Sequence, residues 1–166
     1  MPTTSKIRIG SARFPADERI VRELFTEYGA SLDVDLSFQG FEQELVRLPG
    51  AYAPPLGDIL LAREASGWVL GCVALRPALV DGAGEIKRLY VRPDARGKAV
   101  GRGLAEAAIE CARRVGYDRL VLDTLRTMQA ARGLYDALGF REVPPYYENP
   151  LPGTSYMALD LRPPRD

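Results

Sequence analysis

The chain is organised around residues 84–104, which read GEIKRLYVRPDARGKAVGRGL. Residues 85–91 carry apolar and strand-forming side chains at strand density, and Pro93 cannot donate to a following ladder. From Val100 onward, apolar residues recur at the intervals of a helix and form one stripe that would pack on a sheet. Its members are Val100, Leu104, Ala107, Ala108, Cys111, Ala112 and Val115. The stretch predicts a strand, a tight glycine loop and a helix.

The loop at 96–101 has the composition of an anion site. It places small residues and the cations Arg96 and Lys98 where the helix begins. The first-turn N–H groups lack helical partners and the helix dipole is positive there, so several backbone donors can bind a phosphate. The glycines at 97, 101 and 103 fit neither G-x-x-x-x-G-K-[ST] nor G-x-G-x-x-G. The loop therefore predicts phosphate binding without an ATP loop or a dinucleotide fold.

Two blocks of sequence resemble the GNAT superfamily of acyl-CoA N-acyltransferases. Residues 96–101, RGKAVG, are similar to its [QR]-x-x-G-x-[GA] pyrophosphate loop, with Ala99 at the first glycine position. Residues 131–140, ARGLYDALGF, resemble the family's A-x-x-L-Y-x-x-L-G-F helix and turn. Met128 stands where the family often has an Asn. The resemblance covers residues 70–161, with a weaker match before them.

The resemblance implies an α/β fold in which a central, twisted mixed sheet of about seven strands is flanked by about four helices. It also implies acetyl-CoA as the acyl donor. The pyrophosphate would contact the loop and the first helical turn, and the pantetheine amides would pair with the strand backbone. The implied loop residues are Arg96, Gly97, Lys98, Ala99, Val100, Gly101, Arg102 and Gly103. The implied strand residues are Leu89, Tyr90 and Val91.

Glu85 and Tyr135 are the predicted catalytic residues. Glu85 stands eleven residues before Arg96, the register of the catalytic glutamate in some members of the superfamily. It would deprotonate the amine directly or through water, and its alternative is an exposed acid at a strand start. Tyr135 matches the family's tyrosine that protonates the leaving thiolate, and its alternative is a core tyrosine. Lys87 shares a strand face with Glu85, so it would hold Glu85 ionised or bind a substrate carboxylate.

The predicted substrate-binding residues are Lys87, Arg126, Tyr146 and Tyr147. Tyr146, Tyr147 and Asn149 belong to a proline-rich aromatic loop at 144–153, which could close over an amine. Arg126 or Arg88 could pair with a carboxylate. For each of these residues, a purely structural role in packing explains the sequence at least as well as substrate binding does. We expect the acceptor to be a small amine or an amino-acid-like metabolite.

Composition narrows the classes of function. The chain has 166 residues, with 22 basic and 22 acidic side chains and no histidine. Zero net charge argues against a nucleic-acid partner, and the absence of histidine removes Ser-His and Cys-His catalysis and the commonest metal ligand. Cys72 and Cys111 form no ligand-like cluster, so we expect buried reduced thiols and no metal. No leader or membrane span is recognised, so we expect a cytoplasmic protein, a single domain at 1–166, without a membrane partner.

The spacing of apolar residues along the chain predicts the remaining helices and strands. Predicted strands lie at 7–9, 58–63, 68–76, 85–91, 117–125, 140–143 and 154–161. Predicted helices lie at 17–32, 37–48, from residue 100, and at 128–138, with a loop at 51–57. This order predicts a mixed sheet with helices on both faces.

The leading hypothesis is an N-acetyltransferase that moves an acetyl group from acetyl-CoA to the primary amine of a small molecule in a ternary complex. Two alternatives are a catalytically silent acyl-CoA-binding module and a peptide or protein N-acetyltransferase. A longer acyl donor and a homodimer are also compatible with the sequence. The identity of the amine stays open at this point.

Overall fold

Seven strands form one sheet in the computed structural model, which describes residues 6–32, 40–125, 127–148 and 153–162. The strands are β1 (Arg8–Ser11), β2 (Asp58–Arg63), β3 (Val69–Pro77), β4 (Ala83–Val91), β5 (Arg119–Leu125), β6 (Arg141–Val143) and β7 (Thr154–Asp160). Their spatial order is β1-β2-β3-β4-β5-β7-β6. Among the strands of the described residues, β4 and β5 form the only parallel pair. The predicted mixed sheet is confirmed.

The described residues also form four α-helices, as predicted: α1 (Glu18–Ser31), α2 (Phe41–Val46), α3 (Val100–Val115) and α4 (Gln129–Ala137). The residues of β2 show that these helices pack on both faces of the sheet. Leu60 and Ala62 belong to the apolar cluster that contains α3 and Tyr135 of α4, whereas Ile59 and Leu61 pack with α1. Because both faces of the strand are covered, the apolar residues of β2 run without interruption.

Most element boundaries differ from the sequence prediction by one or two residues, and two of these differences have identifiable reasons. α2 ends at Val46, before the predicted end at 48, because Pro49 disfavours helical backbone in the residue before it. Residues 37–39 of that predicted helix lie outside the described residues. β5 begins at Arg119 and not at 117, because the N–H groups of Gly116 and Tyr117 both donate to the Ala112 carbonyl and end α3.

A bulge interrupts the pairing of β3 with β4. Cys72 pairs with Tyr90 and Ala74 pairs with Lys87, so two residues of β4 lie opposite Val73. Arg88, inside the bulge, has a φ of +60°. Since the bulge adds one residue, it changes which residues share a face and sends Tyr90 into the cluster beside α1.

Candidate active site

The sheet opens between its two parallel strands. β4 and β5 pair only from Ala83 to Glu85 on one side and from Arg119 to Val121 on the other. Beyond Glu85, the edge of β4 that faces β5 has no strand partner within the described part of the chain. An open strand edge carries N–H and C=O groups that can pair with an extended ligand.

A cleft of about 720 Å³ runs along this open edge. One wall is Leu89, Tyr90 and Val91 of β4, and another is the end of α1 with Tyr28, Ser31 and Leu32. The start of α4 closes the far side with Thr127, Met128, Gln129, Ala130, Ala131 and Leu134. The loop contributes Ala95, Arg96, Gly97, Ala99, Val100 and Gly101. The structure therefore brings eight of the eleven predicted cofactor-binding residues to one cleft.

The loop before α3 contains two residues in the left-handed backbone conformation. Gly97 has a φ of +84° and Ala99, at the N-cap of α3, has a φ of +60°. A Cβ added to Gly101 would lie 3.5 Å from Val91 Cγ2 and 3.8 Å from Leu134 Cδ2. An alanine therefore fits at position 101, while a longer side chain would enter the cleft. The glycine keeps the first turn of α3 open to a ligand.

The other three predicted cofactor residues do not line the cleft. Arg102 is exposed and pairs with Glu106 at 2.9 Å, while Lys98 is exposed in the loop. A Cβ on Gly103 would lie 2.9 Å from Ile9 Cδ1, so this glycine allows α3 to approach the first strand of the sheet. Arg96 lines the cleft, and its Nε donates to the Val91 carbonyl at 3.3 Å.

Glu85 lies where the two parallel strands separate. Only 4% of its surface is exposed, and both carboxylate oxygens accept hydrogen bonds. Arg76 Nε donates to Oε1 at 2.9 Å, and Tyr146 Oη donates to Oε2 at 2.6 Å. Burial and the neighbouring Glu85 raise the pKa of Tyr146, so its hydroxyl keeps the proton that it donates. Glu85 is thus a buried carboxylate whose position is set by two donors.

Lys87 and Asp123 face each other across the opened sheet. Lys87 Nζ lies 3.2 Å from Asp123 Oδ1, and Tyr147 Oη donates to Asp123 Oδ2 at 2.5 Å. Burial lowers the pKa of Lys87, while the charges of Asp123 and Glu85 act in the opposite direction. Lys87 is therefore part of the polar network beside Glu85, and its direct ion pair is with Asp123.

A second cavity, of about 380 Å³, reaches the same carboxylate. Its charged lining residues are Arg76, Glu85, Lys87 and Glu148, and the others are Ala51, Pro77, Leu79 and Tyr147. Glu85 does not line the larger cleft, but Leu89 on the same strand does. The two cavities thus lie along one strand, β4, with the bulge between Glu85 and Leu89.

Tyr135 projects from α4 into the core. It is 5% exposed, and its ring packs edge-on against Phe140 with centroids 5.4 Å apart. Burial raises the pKa of Tyr135, and the nearby Tyr28 and Asp123 raise it further, so the phenol stays protonated at neutral pH. Its hydroxyl makes no hydrogen bond with another described residue, and it does not line the larger cleft.

The residues that the sequence suggested for substrate binding do not share one environment in the structure. Tyr146 and Tyr147 pack against each other and against Tyr156 of β7, with ring centroids 5.3 to 5.6 Å apart. Arg88 is buried, and its guanidinium makes two hydrogen bonds with Glu44, at 2.9 and 3.0 Å. Arg126 and Asn149 lie outside the described residues.

Sequence reasoning missed two residues of this network, Arg76 and Asp123. Arg76 is the cross-strand partner of Glu85 in the β3–β4 hairpin, so counting outward from the turn at 78–82 could have found it. Asp123 is a carboxylate inside the apolar run of β5, and a charge in such a run is a signal that the pattern did contain.

Two kinds of feature are absent from the described ranges. No helix there has both the length and the apolar character needed to span a bilayer. No group of three or more Cys, Asp or Glu side chains in those ranges is arranged to hold a metal ion. The two cysteines are free and buried, as predicted.

Comparison with known proteins gives consistent matches. The family model described as "Acetyltransferase (GNAT) family" matches residues 19–140. An uncharacterized N-acetyltransferase of Schizosaccharomyces pombe is 40% identical over 161 residues, which cover 97% of this chain and 99% of that protein. N-acetylaspartate synthetase of Danio rerio is 31% identical over 70% of this chain and 42% of its own length.

Solved structures share the fold. A GNAT-family acetyltransferase from Staphylococcus aureus Mu50 superimposes with a TM-score of 0.77 at 19% identity, covering 95% of this chain and 100% of that one. An acetyltransferase from Salmonella typhimurium, solved with its cofactor acetyl-CoA, gives a TM-score of 0.66 at 24% identity over 98% of both chains.

Proposed function

The chain belongs to the acetyltransferase (GNAT) family and is an acyltransferase, and we propose that it transfers the acetyl group of acetyl-CoA to the primary amine of a small molecule. GNAT acetyltransferases act on amines. What we propose beyond this is that the acyl donor is acetyl-CoA and that the amine belongs to a small molecule.

One observation carries this proposal: the cleft joins the open edge of β4 to the first turn of α3. An extended, amide-containing chain with an anionic end needs a strand edge for its amides and a helix N-terminus for its phosphates. Leu89, Tyr90 and Val91 supply the edge, and the loop from Arg96 to Gly101 supplies the N-terminus. The residues present therefore fit acetyl-CoA.

The reaction requires a neutral amine and a protonated leaving group. Bound acetyl-CoA supplies a thioester carbonyl, which the amine attacks and from which the CoA thiolate departs. Glu85 accepts the proton that the amine must lose, and Arg76 and Tyr146 hold its carboxylate in place. Lys87 and Asp123 keep the surroundings of Glu85 polar.

Tyr135 is the proposed acid. Its raised pKa keeps the proton on Oη at neutral pH, which is the state that an acid needs before it protonates a thiolate. The absence of a hydrogen bond to any other described residue leaves that proton uncommitted.

A small acceptor agrees with the size of the second cavity, about 380 Å³, which reaches Glu85. The zebrafish relative, N-acetylaspartate synthetase, is named for an acetylated amino acid. That name supports a small metabolite as the acceptor in preference to a folded protein.

A thermal-shift titration with acetyl-CoA tests the donor site. Ligand at about a hundred times its Kd should add roughly 2.7 kcal/mol, or about 5 to 10 °C in Tm. Gly101→Glu should abolish the shift because its side chain enters the cleft. Gly101→Ala is the matched control, since its Cβ makes only ordinary contacts, and it should retain most of the shift. No shift in a folded parent overturns the proposal.

A silent acyl-CoA-binding module is the second candidate. Two observations favour it. Both carboxylate oxygens of Glu85 already accept hydrogen bonds from protein side chains, and Tyr135 does not line the larger cleft. Release of free thiol from acetyl-CoA in the presence of a panel of amines separates the two. A thermal shift without thiol release on any amine would support the silent module.

A further inference from the structure

The smaller cavity beside Glu85 is lined by an arginine, Arg76, whose guanidinium hydrogen-bonds to the protein through Nε. Arg76 lies at the end of β3, directly opposite Glu85 on β4, and its Nε donates to Glu85 Oε1 at 2.9 Å. Its guanidinium carbon stands 5.9 Å from the centre of the buried Tyr52 ring. These two contacts fix the orientation of the guanidinium plane.

The two terminal nitrogens of Arg76 are available. Nη1 and Nη2 make no hydrogen bond with another described residue, and neither is buried. The side chain is 30% exposed and lines the cavity. A guanidinium anchored through Nε presents its terminal pair of N–H groups in the geometry that a carboxylate accepts with both oxygens.

The neighbouring cations are already engaged. Lys87, which also lines the cavity, is paired with Asp123 at 3.2 Å, and Arg88 is paired with Glu44 at 2.9 Å. Lys87 is therefore committed to an ion pair on its own side of the cavity, whereas Arg76 is paired through Nε and its two terminal nitrogens have no partner among the described residues.

We propose that Arg76 binds a carboxylate of the acceptor, so that the acceptor is an amino acid or a closely related amino carboxylate. This inference rests on the proposed function, because it places the amine of the same molecule at Glu85. In an α-amino acid, one carbon separates the amine from the carboxylate. That separation matches a base and a guanidinium that are hydrogen-bonded to each other.

The walls of the cavity agree with this class of acceptor. Pro77 and Leu79 form an apolar side, and Leu79 exposes 82% of its surface. An amino-acid side chain has an apolar surface to lie against while its charged groups face Arg76 and Glu85.

The test compares amino acids with the amines that lack only the carboxylate, such as leucine with 3-methylbutylamine and phenylalanine with phenethylamine. Thiol release from acetyl-CoA gives kcat/KM for each member of a pair. The parent should prefer the amino acid by about tenfold or more in at least one pair, because the free amine leaves the guanidinium without its partner.

Substitutions at Arg76 should collapse that preference. Both Arg76→Met and Arg76→Lys disturb Glu85, so all rates fall and the informative quantity is the ratio of kcat/KM within a pair. The ratio should drop about tenfold or more in Arg76→Met, mainly through KM for the amino acid, and less in Arg76→Lys, which keeps the charge but loses the planar fork. Arg113→Met is the matched control, since Arg113 lies on the exposed face of α3 and pairs with Glu110. It should leave the ratio unchanged.

The outcomes separate this inference from the proposed function. A parent that acetylates amines at least as well as amino acids, or an unchanged ratio in Arg76→Met, overturns the role of Arg76 and leaves the acetyltransferase assignment intact. A parent that binds acetyl-CoA but acetylates neither member of any pair also overturns it. A folded parent that does not bind acetyl-CoA overturns the proposed function, and this inference with it.

Discussion

At the scale of single residues, Ala99 shows how this chain departs from the family pattern without losing the local backbone. Alanine stands where the family pattern has its first glycine, yet Ala99 adopts the left-handed conformation, with a φ of +60°. That conformation costs an alanine about 1 to 2 kcal/mol. The remaining contacts of the loop and α3 therefore hold it in the conformation that a glycine would adopt freely.

Glu85→Gln tests the proposed base. The amide keeps the size of the side chain and one acceptor oxygen, but it cannot take a proton. Turnover should fall about 100-fold or more, while acetyl-CoA affinity changes by less than about twofold. Thiol-release kinetics and a thermal-shift titration measure the two effects. Glu142→Gln on exposed β6 is the control, and turnover by Glu85→Gln equal to the parent's would exclude the role.

Tyr135→Phe tests the proposed acid. Turnover should fall about 10-fold or more, because the leaving thiolate loses its proton source. The free energy of unfolding should change by less than about 0.5 kcal/mol, since Oη makes no hydrogen bond with another described residue.

Tyr117→Phe is the matched comparison for Tyr135→Phe. Its hydroxyl donates to the Leu56 carbonyl at 2.6 Å, away from the cleft. This variant should lose about 1 kcal/mol in urea unfolding and keep its turnover. If Tyr135→Phe is as active as the parent, Tyr135 is a core residue only.

At the scale of elements, the β4 bulge decides how the site is built. The strand pairs with β5 up to Glu85, separates from it, and then shifts register at Arg88. Arg88 anchors this irregular segment to α2, where Glu44 accepts two hydrogen bonds from it. The bulge therefore links the open strand edge to the helices on one face of the sheet.

Arg88→Met should destabilise the protein by roughly 3 to 5 kcal/mol in urea unfolding, because it leaves the Glu44 carboxylate without its charged partner. The double change Arg88→Met with Glu44→Leu should be more stable than the single change, since it removes the unpaired charge. A double variant less stable than Arg88→Met would show that the pair does not carry the effect.

At the scale of the whole molecule, two apolar clusters on opposite faces of the sheet hold the helices in place. The cluster beside α1 contains Cys72, and burial raises the pKa of the Cys72 thiol to about 12 from an ordinary value of 9.0. The charge of Arg88 opposes this effect. The folded protein thus keeps a proton that the unfolded chain loses above pH 9.

This difference sets the sign of an alkaline pH dependence. Between pH 9 and 12 the unfolded state binds fewer protons at Cys72 than the native state, so the free energy of unfolding falls as pH rises, by up to about 1.4 kcal/mol per unit. Urea unfolding of the parent and of Cys72→Ala at pH 8.0, 9.0 and 10.0 measures it. The variant should lose stability less steeply above pH 9, and equal slopes would contradict the cause.

Local pattern was sufficient for the elements and for most of the residues that line one side of the larger cleft. Apolar period and proline positions are properties of neighbouring residues, so they locate a strand, loop and helix at 84–104 before any tertiary contact exists. The same stretch contains all eight predicted cofactor residues that the structure brings to the cleft. Most boundaries shifted by one or two residues, and a helix cap or a proline accounts for the shifts at Tyr117 and before Pro49.

Most contacts of the charged network around Glu85 depend on tertiary structure. Tyr146 is 61 residues from Glu85, Asp123 is 36 residues from Lys87, and Tyr147 is 24 residues from Asp123. Such contacts depend on strand order, on the point where β4 and β5 separate, and on the path of the loop after β6, none of which has a local period. The sequence by itself determined the elements and the loop that would hold a phosphate. Only the folded sheet, by bringing together groups that are far apart in the sequence, decided which tyrosines and which second carboxylate lie beside Glu85 and Lys87.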